Sequence, residues 1–144
     1  MKNIFRALTY SILLGVILVS CDSNDPAVEL NASSVLGTYR LKTVNGDAVP
    51  YAITNATGTT IVNSGSVVIG EQQSIQVTFT YQLDSGAILT ESQTSTWSLD
   101  AGKLFIVHPD HGVQYPNNQI NSTRIELHST WYPDIPLKMI FEKE

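Results

Sequence analysis

Apolar and polar residues alternate along most of this chain after Leu36. The alternation is clearest in residues 75–83, where Ile, Val, Phe, Tyr and Leu occupy every second position and Gln and Thr lie between them. Because successive side chains of a strand point to opposite faces, one face here is predicted to be buried, with Phe79 at its centre, and the other exposed. No stretch shows the helical period over any length. The pattern therefore predicts an all-β fold.

Turn residues divide this pattern into eight strands. Asn45 and Gly46 supply the positive φ that a turn requires, and Gly102 precedes another strand. Gly65 interrupts the second strand and predicts a β-bulge there. The predicted strands are residues 38–44, 60–69, 75–83, 87–99, 103–108, 113–115, 120–129 and 137–142.

Eight strands in sequence with short connections are typical of an antiparallel up-and-down barrel, which closes on itself and leaves no unpaired edge. A two-sheet sandwich is the alternative. In the barrel, the connections after odd-numbered strands share one end, and these include the longer loops, 45–59, 108–112 and 130–136. The other connections, around 70–73, 100–102 and 116–119, are tight. We therefore predict an open mouth at one end and a closed end where the first strand begins.

The N-terminal 20 residues have a different pattern. Lys2 and Arg6 form a basic start, and residues 7–19 are a nearly continuous apolar run. This run is too short to cross a bilayer core of about 30 Å comfortably as a helix, and it is typical of a signal peptide. Residues 22–34 are rich in Asp, Ser, Asn and Ala, which favours a flexible tether. A short arm packed on the domain, through Val28 and Leu30, is the alternative.

The tetrapeptide Leu18-Val19-Ser20-Cys21 resembles the lipobox of bacterial lipoproteins. The resemblance implies a signal peptide of residues 1–20, a lipidated Cys21 that begins a tether of residues 21–34, and a domain of residues 35–144. It places the protein in the bacterial cell envelope, bound to a membrane through lipid. The outer membrane or the cell surface is favoured over the inner membrane, although Asp22 resembles an inner-membrane retention residue of some bacteria.

Short motifs within the domain resemble lipocalin-like domains of bacterial lipoproteins. They are Gly37-Thr38-Tyr39, Val44-Asn45-Gly46 with Val49-Pro50, Ser64-Gly65-Ser66-Val67, and Trp97-Ser98-Leu99 before Gly102. The resemblance implies a lipocalin-like eight-stranded barrel. Tyr39 occupies the position where lipocalins usually carry tryptophan.

Charge and cysteine content exclude several classes of function. Without Lys2 and Arg6, 6 of the 8 basic residues remain beside 13 acidic ones, so the net charge becomes 6 − 13 = −7. A negative chain without a basic cluster is a poor candidate for binding nucleic acid. The single cysteine, if lipidated, leaves none for a disulfide.

The predicted mouth carries the candidate binding residues. His108, Asp110 and His111 are potential metal ligands, but metal sites usually need three or four ligands in a fixed arrangement, so we predict a solvated turn and no metal. Large apolar residues of the other loops suggest either an entrance for a small apolar ligand or a plug. The speculative ligand-binding residues are Tyr51, His108, His111, Trp131, Tyr132 and Ile135.

The fourth strand carries polar residues on the face that is predicted to point inward. These residues are Glu91, Gln93 and Ser95, which occupy every second position between Leu89 and Trp97. Either the lumen is partly polar, or a bulge moves these residues to the outer face, and the bulge is the more common explanation. A polar lumen would also allow Glu91 to pair with Arg40 or Arg124.

No catalytic motif or cofactor-binding motif is present, so we expect no enzyme and no cofactor. The function that the sequence favours is a membrane-anchored lipoprotein whose barrel mouth binds a small, partly apolar ligand. The alternative is a structural or protein-interaction lipoprotein with a filled barrel, whose partner is another envelope protein.

Overall fold

A computed structural model of the protein describes residues 30–108, 112–114, 118–131 and 135–144, with the backbone alone at residues 112–114, 130 and 131. One short helix precedes the strands. The elements are α1 (Ala32–Val35), β1 (Gly37–Val44), β2 (Asp47–Ala48), β3 (Tyr51–Asn55), β4 (Gly58–Ile69), β5 (Ser74–Leu83), β6 (Ile88–Asp100), β7 (Lys103–His108), β8 (Gly112–Gln114), β9 (Gln119–Ile120), β10 (Arg124–Trp131) and β11 (Ile135–Lys143).

The sheet closes on itself through β1. One edge of β1 pairs with β11, with Tyr39 opposite Lys143, and the other edge pairs with β4, with Gly37 opposite Ile69. Around the ring the order is β1, β4, β5, β6, β7, β9, β10 and β11, and β8 pairs with β7 beside β9. Every pairing is antiparallel. The predicted eight-stranded up-and-down barrel is therefore confirmed, and the sandwich alternative is wrong.

Three local predictions differ from the structure. The loop predicted at residues 45–59 contains β2 and β3, and β3 pairs with β4. The turn predicted around 116–119 lies later, because Gln119 and Ile120 pair with β10 and the chain turns at residues 121–123. The bulge predicted at Gly65 falls between Val62 and Ser64.

Gly65 has another role, which its missing side chain explains. The ring of Phe79, its cross-strand partner, lies over Gly65, and a Cβ atom built there would lie 2.8 Å from Phe79 Cδ1. The same ring contacts Phe141, with centroids 6.2 Å apart and ring planes tilted by 59°. Phe79 is half-buried and packs against the core, while Ile75 of the same strand is fully buried.

Helix α1 lies at the closed end of the barrel, within the segment predicted as a tether. The side-chain oxygen of Asn31 accepts a hydrogen bond from the Ser34 N–H and caps the helix. Val35 is fully buried, and its carbonyl accepts a 2.7 Å hydrogen bond from the Tyr39 hydroxyl. The Lys143 ammonium group donates to the Ser34 carbonyl at 3.1 Å. These contacts hold residues 31–35 on the barrel, as the packed-arm alternative describes.

The side chain of Tyr39 is buried, and burial raises the pKa of its hydroxyl. The hydroxyl therefore stays protonated and donates to the Val35 carbonyl. No helix in the described part of the chain is long and apolar enough to cross a membrane.

The open end has an uneven rim. Strand β6 pairs with β5 from Ile88 to Thr96, but it pairs with β7 only from Thr96 to Asp100. The β5–β6 hairpin therefore extends beyond the end of β7. At this height the wall consists of β3, β4, β5 and the free part of β6.

Candidate functional site

The inner face of β6 is polar toward the open end. Its pairing with β5 runs without a register shift from Thr96 to Ile88. Leu89, Glu91 and Gln93 therefore lie on the same face as the buried Trp97. This pairing contains no bulge that would move them outward. The bulge interpretation was therefore wrong, and the inner face of β6 carries these polar residues.

Burial along this face shows how far the barrel is filled. Trp97 and Ser95 are only 5% and 8% exposed, whereas Leu89 is 40% exposed and Gln93 and Glu91 are exposed as well. The inner face of β6 is thus packed up to Ser95 and exposed above it, while Tyr81, the β5 partner of Leu89, is only 6% exposed. We call the recess above Ser95 the cup, and its described wall from β5 and β6 is formed by Phe79, Tyr81, Leu89, Glu91 and Gln93.

One hydrogen bond fixes the polar side of the cup. The hydroxyl of Tyr81 donates to Oε1 of Glu91 in a short hydrogen bond, and the Tyr81 side chain is buried beside it. Hydrogen bonds to a carboxylate are shorter and stronger than those between neutral groups. Because the Tyr81 ring is packed, it holds the Glu91 carboxylate in place at the wall of the cup. Glu91 does not pair with Arg40, which binds Glu144, or with Arg124, which lies near Glu126.

A small cavity of about 60 Å³ lies at the floor of the cup. One water occupies about 30 Å³ of the liquid, and pockets for drug-sized ligands measure roughly 300–1,000 Å³. The cavity is therefore too small for such a ligand, which would have to lie above it in the cup. Its lining is mixed: Val77, Phe79, Gln93, Ser95, Ile106, Leu127, His128, Ser129 and Met139.

Four of the residues predicted to bind ligand lie at strand ends on the open side. Tyr51 begins β3, is half-buried, and accepts a 3.3 Å hydrogen bond from the Asn45 side-chain amide. His108 ends β7, opposite Gly112 of β8. Trp131 and Ile135 are register partners where β10 meets β11. The fold brings these residues to one rim, and their binding role stays a prediction.

The remaining predicted positions lie outside the described residues. They are Cys21, His111 and Tyr132, together with the side chain of Trp131. Asp110, considered with the histidines as a metal ligand, is also outside. In the described part of the chain, no group of three His, Cys, Asp or Glu side chains is placed to hold a metal ion. The absence of a metal site at the mouth therefore stays a prediction.

A second recess, of about 590 Å³, lies at the closed end. One side is formed by Leu30 and Leu36 next to α1, and the other by the β4–β5 turn and by Trp97, whose indole N–H donates to the Gly70 carbonyl at 3.3 Å. Its walls come from segments that are distant in sequence, so no local sequence pattern indicates this recess. It opens where the chain enters the barrel.

An ion-pair network lies on the outer wall, around Glu126. Its carboxylate lies 2.9 Å from Lys138 Nζ and 2.8 Å from His128 Nε2, and 3.6 Å from Arg124 Nη2. Burial alone would raise the pKa of Glu126, but hydrogen bonds and charge from Lys138 and His128 outweigh it, so the pKa is lowered. Glu126 alternates along β10 with the buried Ile125 and Leu127, so the network lies on the outer face of the barrel wall.

Comparison with known proteins adds no family to this geometry. No protein-family model matches the chain, and neither the curated proteins nor the solved structures gave a significant match. The cup and the sequence motifs are therefore the features of this chain that indicate a function.

Proposed function

We propose that this protein is a lipid-anchored lipoprotein of the bacterial cell envelope, whose lipocalin-like barrel binds one small, partly apolar molecule in the cup. The observation that carries the proposal is the change in burial along the inner face of β6. Trp97 and Ser95 are buried, whereas Gln93, Glu91 and Leu89 on the same face are exposed. These exposed side chains leave the inner face of β6 accessible to a ligand above Ser95.

The walls of the cup indicate which ligand chemistry fits. Phe79 and Leu89 offer apolar surface, while Gln93 offers an amide and Glu91 a carboxylate held by Tyr81. Ligand sites commonly combine apolar walls with a few fixed polar groups. We infer a ligand with an apolar body and a hydrogen-bond donor or a positive charge that meets Glu91. An anionic group at that position would be repelled. The role is binding, and we assign the protein no catalytic activity.

The proposed anchor is consistent with the orientation of the barrel. Leu30 is 30 − 21 = 9 residues after Cys21 and borders the closed end. Nine residues reach at most about 30 Å when extended. A lipid on Cys21 would therefore keep the closed end near the membrane and direct the cup away from it. We propose the outer membrane or the cell surface as the site.

The anchor is tested by Cys21→Ser. We expect the wild-type chain to fractionate with membranes and to carry a mass increase equal to its lipid, since diacylated and triacylated proteins stay bound to bilayers. Cys21→Ser should lose both properties. A variant that keeps the mass of the wild type and stays fully in the membrane fraction would contradict the lipid anchor.

The ligand is tested by native mass spectrometry of the protein extracted from its own cells. We expect a retained small molecule in the wild type and in Gln72→Ala, a matched control in the recess at the closed end. Glu91→Gln should reduce the retained fraction by about 10-fold, since a hydrogen bond to a charged group contributes about 1.5–3 kcal/mol. A wild-type protein without any retained molecule would favour the structural lipoprotein instead. A molecule that is lost only in Gln72→Ala would move the site to the closed end.

A further inference from the structure

The free edge of β6 is a second feature of the open end. Residues 88–95 pair with β5 on one side, and no described strand pairs with them on the other side. The β7–β8 hairpin closes from His108 to Gly112, and His108 falls opposite Ser95 when the β6–β7 register is continued. At about 3.3 Å per residue, Ile88 lies about 23 Å beyond Ser95 along the strand.

The backbone direction along this edge can be assigned. The Trp97 N–H donates to the Gln73 carbonyl, and the Ala87 carbonyl accepts from the Leu83 N–H, so odd-numbered residues of β6 point their backbone groups toward β5. Backbone groups alternate sides along an antiparallel strand. The N–H and C=O groups of Ile88, Thr90, Ser92 and Thr94 therefore point out of the free edge. Among the described residues these groups have no strand partner, and such a row of backbone groups is a template for another strand.

The side chains beside this edge favour docking rather than protection. Protein edges are commonly protected by Lys, Pro, bulges or inward-pointing charges, and of these residues 88–95 contain only the charge of Glu91. Ile88 is 66% exposed and Leu89 is 40% exposed, and they are two of the three large apolar residues exposed in the described part of the chain. Glu91 is the only charged residue of the edge.

We propose that the free edge of β6 binds an extended segment of a partner protein by antiparallel strand addition. The segment carries Lys or Arg opposite Glu91 and, two residues further toward its C-terminus, an apolar side chain opposite Leu89. Main-chain hydrogen bonds give such complexes their affinity, and alternate side chains give the specificity. The inference goes beyond the proposed ligand of the cup, because it rests on the backbone of the edge, and its side-chain contacts share Glu91 and Leu89 with the wall of the cup.

A basic segment fits this edge better than a second copy of the chain. Each copy has a net charge of −5 and places Glu91 on the same face of its edge. Pairing two copies would bring two Glu91 side chains close together, and like charges on facing strands destabilise a sheet. A lysine or arginine opposite Glu91 reverses the sign of this interaction.

The test uses the full-length chain and the acetylated, amidated heptapeptide Thr-Val-Thr-Lys-Thr-Phe-Thr in isothermal titration calorimetry. In the proposed register, its lysine faces Glu91 and its phenylalanine faces Leu89. The matched protein variants are Ser92→Pro, which removes an edge N–H that β5 does not use, and Ser92→Thr, which keeps it. We expect Ser92→Pro to weaken binding by about 5- to 30-fold and Ser92→Thr to leave it unchanged.

Peptide variants test the register. N-methylation of the third or the fifth residue, whose N–H groups face β6, should abolish binding, whereas N-methylation of the lysine should be tolerated. Replacing the lysine by glutamate should weaken binding as much as Ser92→Pro does. No binding at about 1 mM peptide, where even the weakest specific complexes are measurable, would overturn the proposal. Equal binding to Ser92→Pro would overturn it as well, and so would a homodimer in sedimentation that Ser92→Pro abolishes.

Discussion

Gly65 and Phe79 offer a sharp test of how the barrel wall packs. In Gly65→Ala, the new Cβ atom would lie 2.8 Å from Phe79 Cδ1, 2.9 Å from Cε1 and 3.3 Å from the Cβ of Leu41. Contacts below 3 Å force a displacement, and the displaced ring would lose its packing on Phe141. Overpacking costs about 1–3 kcal/mol. The lower backbone entropy of alanine offsets about 0.5–1 kcal/mol of this in a strand. We expect a net loss of about 1–2 kcal/mol in the free energy of unfolding.

A double-mutant cycle isolates the contact. Phe79→Ala should cost about 2–3 kcal/mol, below the 3–5 kcal/mol range for a fully buried phenylalanine, because Phe79 is half-buried. In that background the ring is gone, so Gly65→Ala should no longer destabilise the protein and should gain up to about 0.5–1 kcal/mol from its lower backbone entropy. The coupling between the two sites should thus be at least about 1 kcal/mol. Urea unfolding of the full chain, followed by circular dichroism, measures all four variants. Additive costs within about 0.3 kcal/mol would refute the packing of Phe79 over Gly65.

Three further predictions use stability as the measurement. Thr78→Ala removes an exposed hydroxyl that is hydrogen-bonded to Ser92 at 2.9 Å. It should lower the free energy of unfolding by no more than about 1 kcal/mol, far less than Phe79→Ala in the same urea assay. Equal losses would mean that both faces of β5 are buried. Tyr39→Phe leaves the buried Val35 carbonyl without its donor and should cost about 1–3 kcal/mol in thermal unfolding, and an unchanged stability would contradict the attachment of α1. The folded-state pKa of Glu126 is lowered from its ordinary value of 4.5, so its contribution to folding stability is present above that pH and is lost as pH falls through the lowered pKa. In a pH series of urea unfolding, the midpoints of Glu126→Gln should therefore change less below pH 4.5 than those of the wild type. Identical profiles would contradict the ion-pair network.

The sequence predicted those features that depend on local pattern. Alternation at residues 75–83 identified β5 almost to the residue, and regular turn spacing led to the closed barrel. Asn45 and Gly46 do adopt the positive φ that the turn requires. Each of these depends on side chains and turns that lie next to one another in the chain.

Features that depend on strand pairing could not be predicted in this way. Whether Glu91 faces inward depends on the register of β6 against β5, since a shift by one residue exchanges the two faces. The register shift lies between Val62 and Ser64, whereas the missing side chain of Gly65 makes room for the Phe79 ring across the strand pair. The residues of the cup wall were visible as polar positions, but the sequence alone did not decide between cup and outer surface.

Thiol labelling tests the central claim, that the inner face of β6 is packed up to Ser95 and open above it. Gln93→Cys and Ser95→Cys, each in the Cys21→Ser background, place one thiol on each side of this level on the same face of β6. We predict that the thiol at position 93 reacts with a small maleimide as fast as an exposed cysteine does. The thiol at position 95 should react at least about 100-fold more slowly, because it needs local opening of the barrel. Equal rates at the two positions, whether both are fast or both are slow, would contradict the cup.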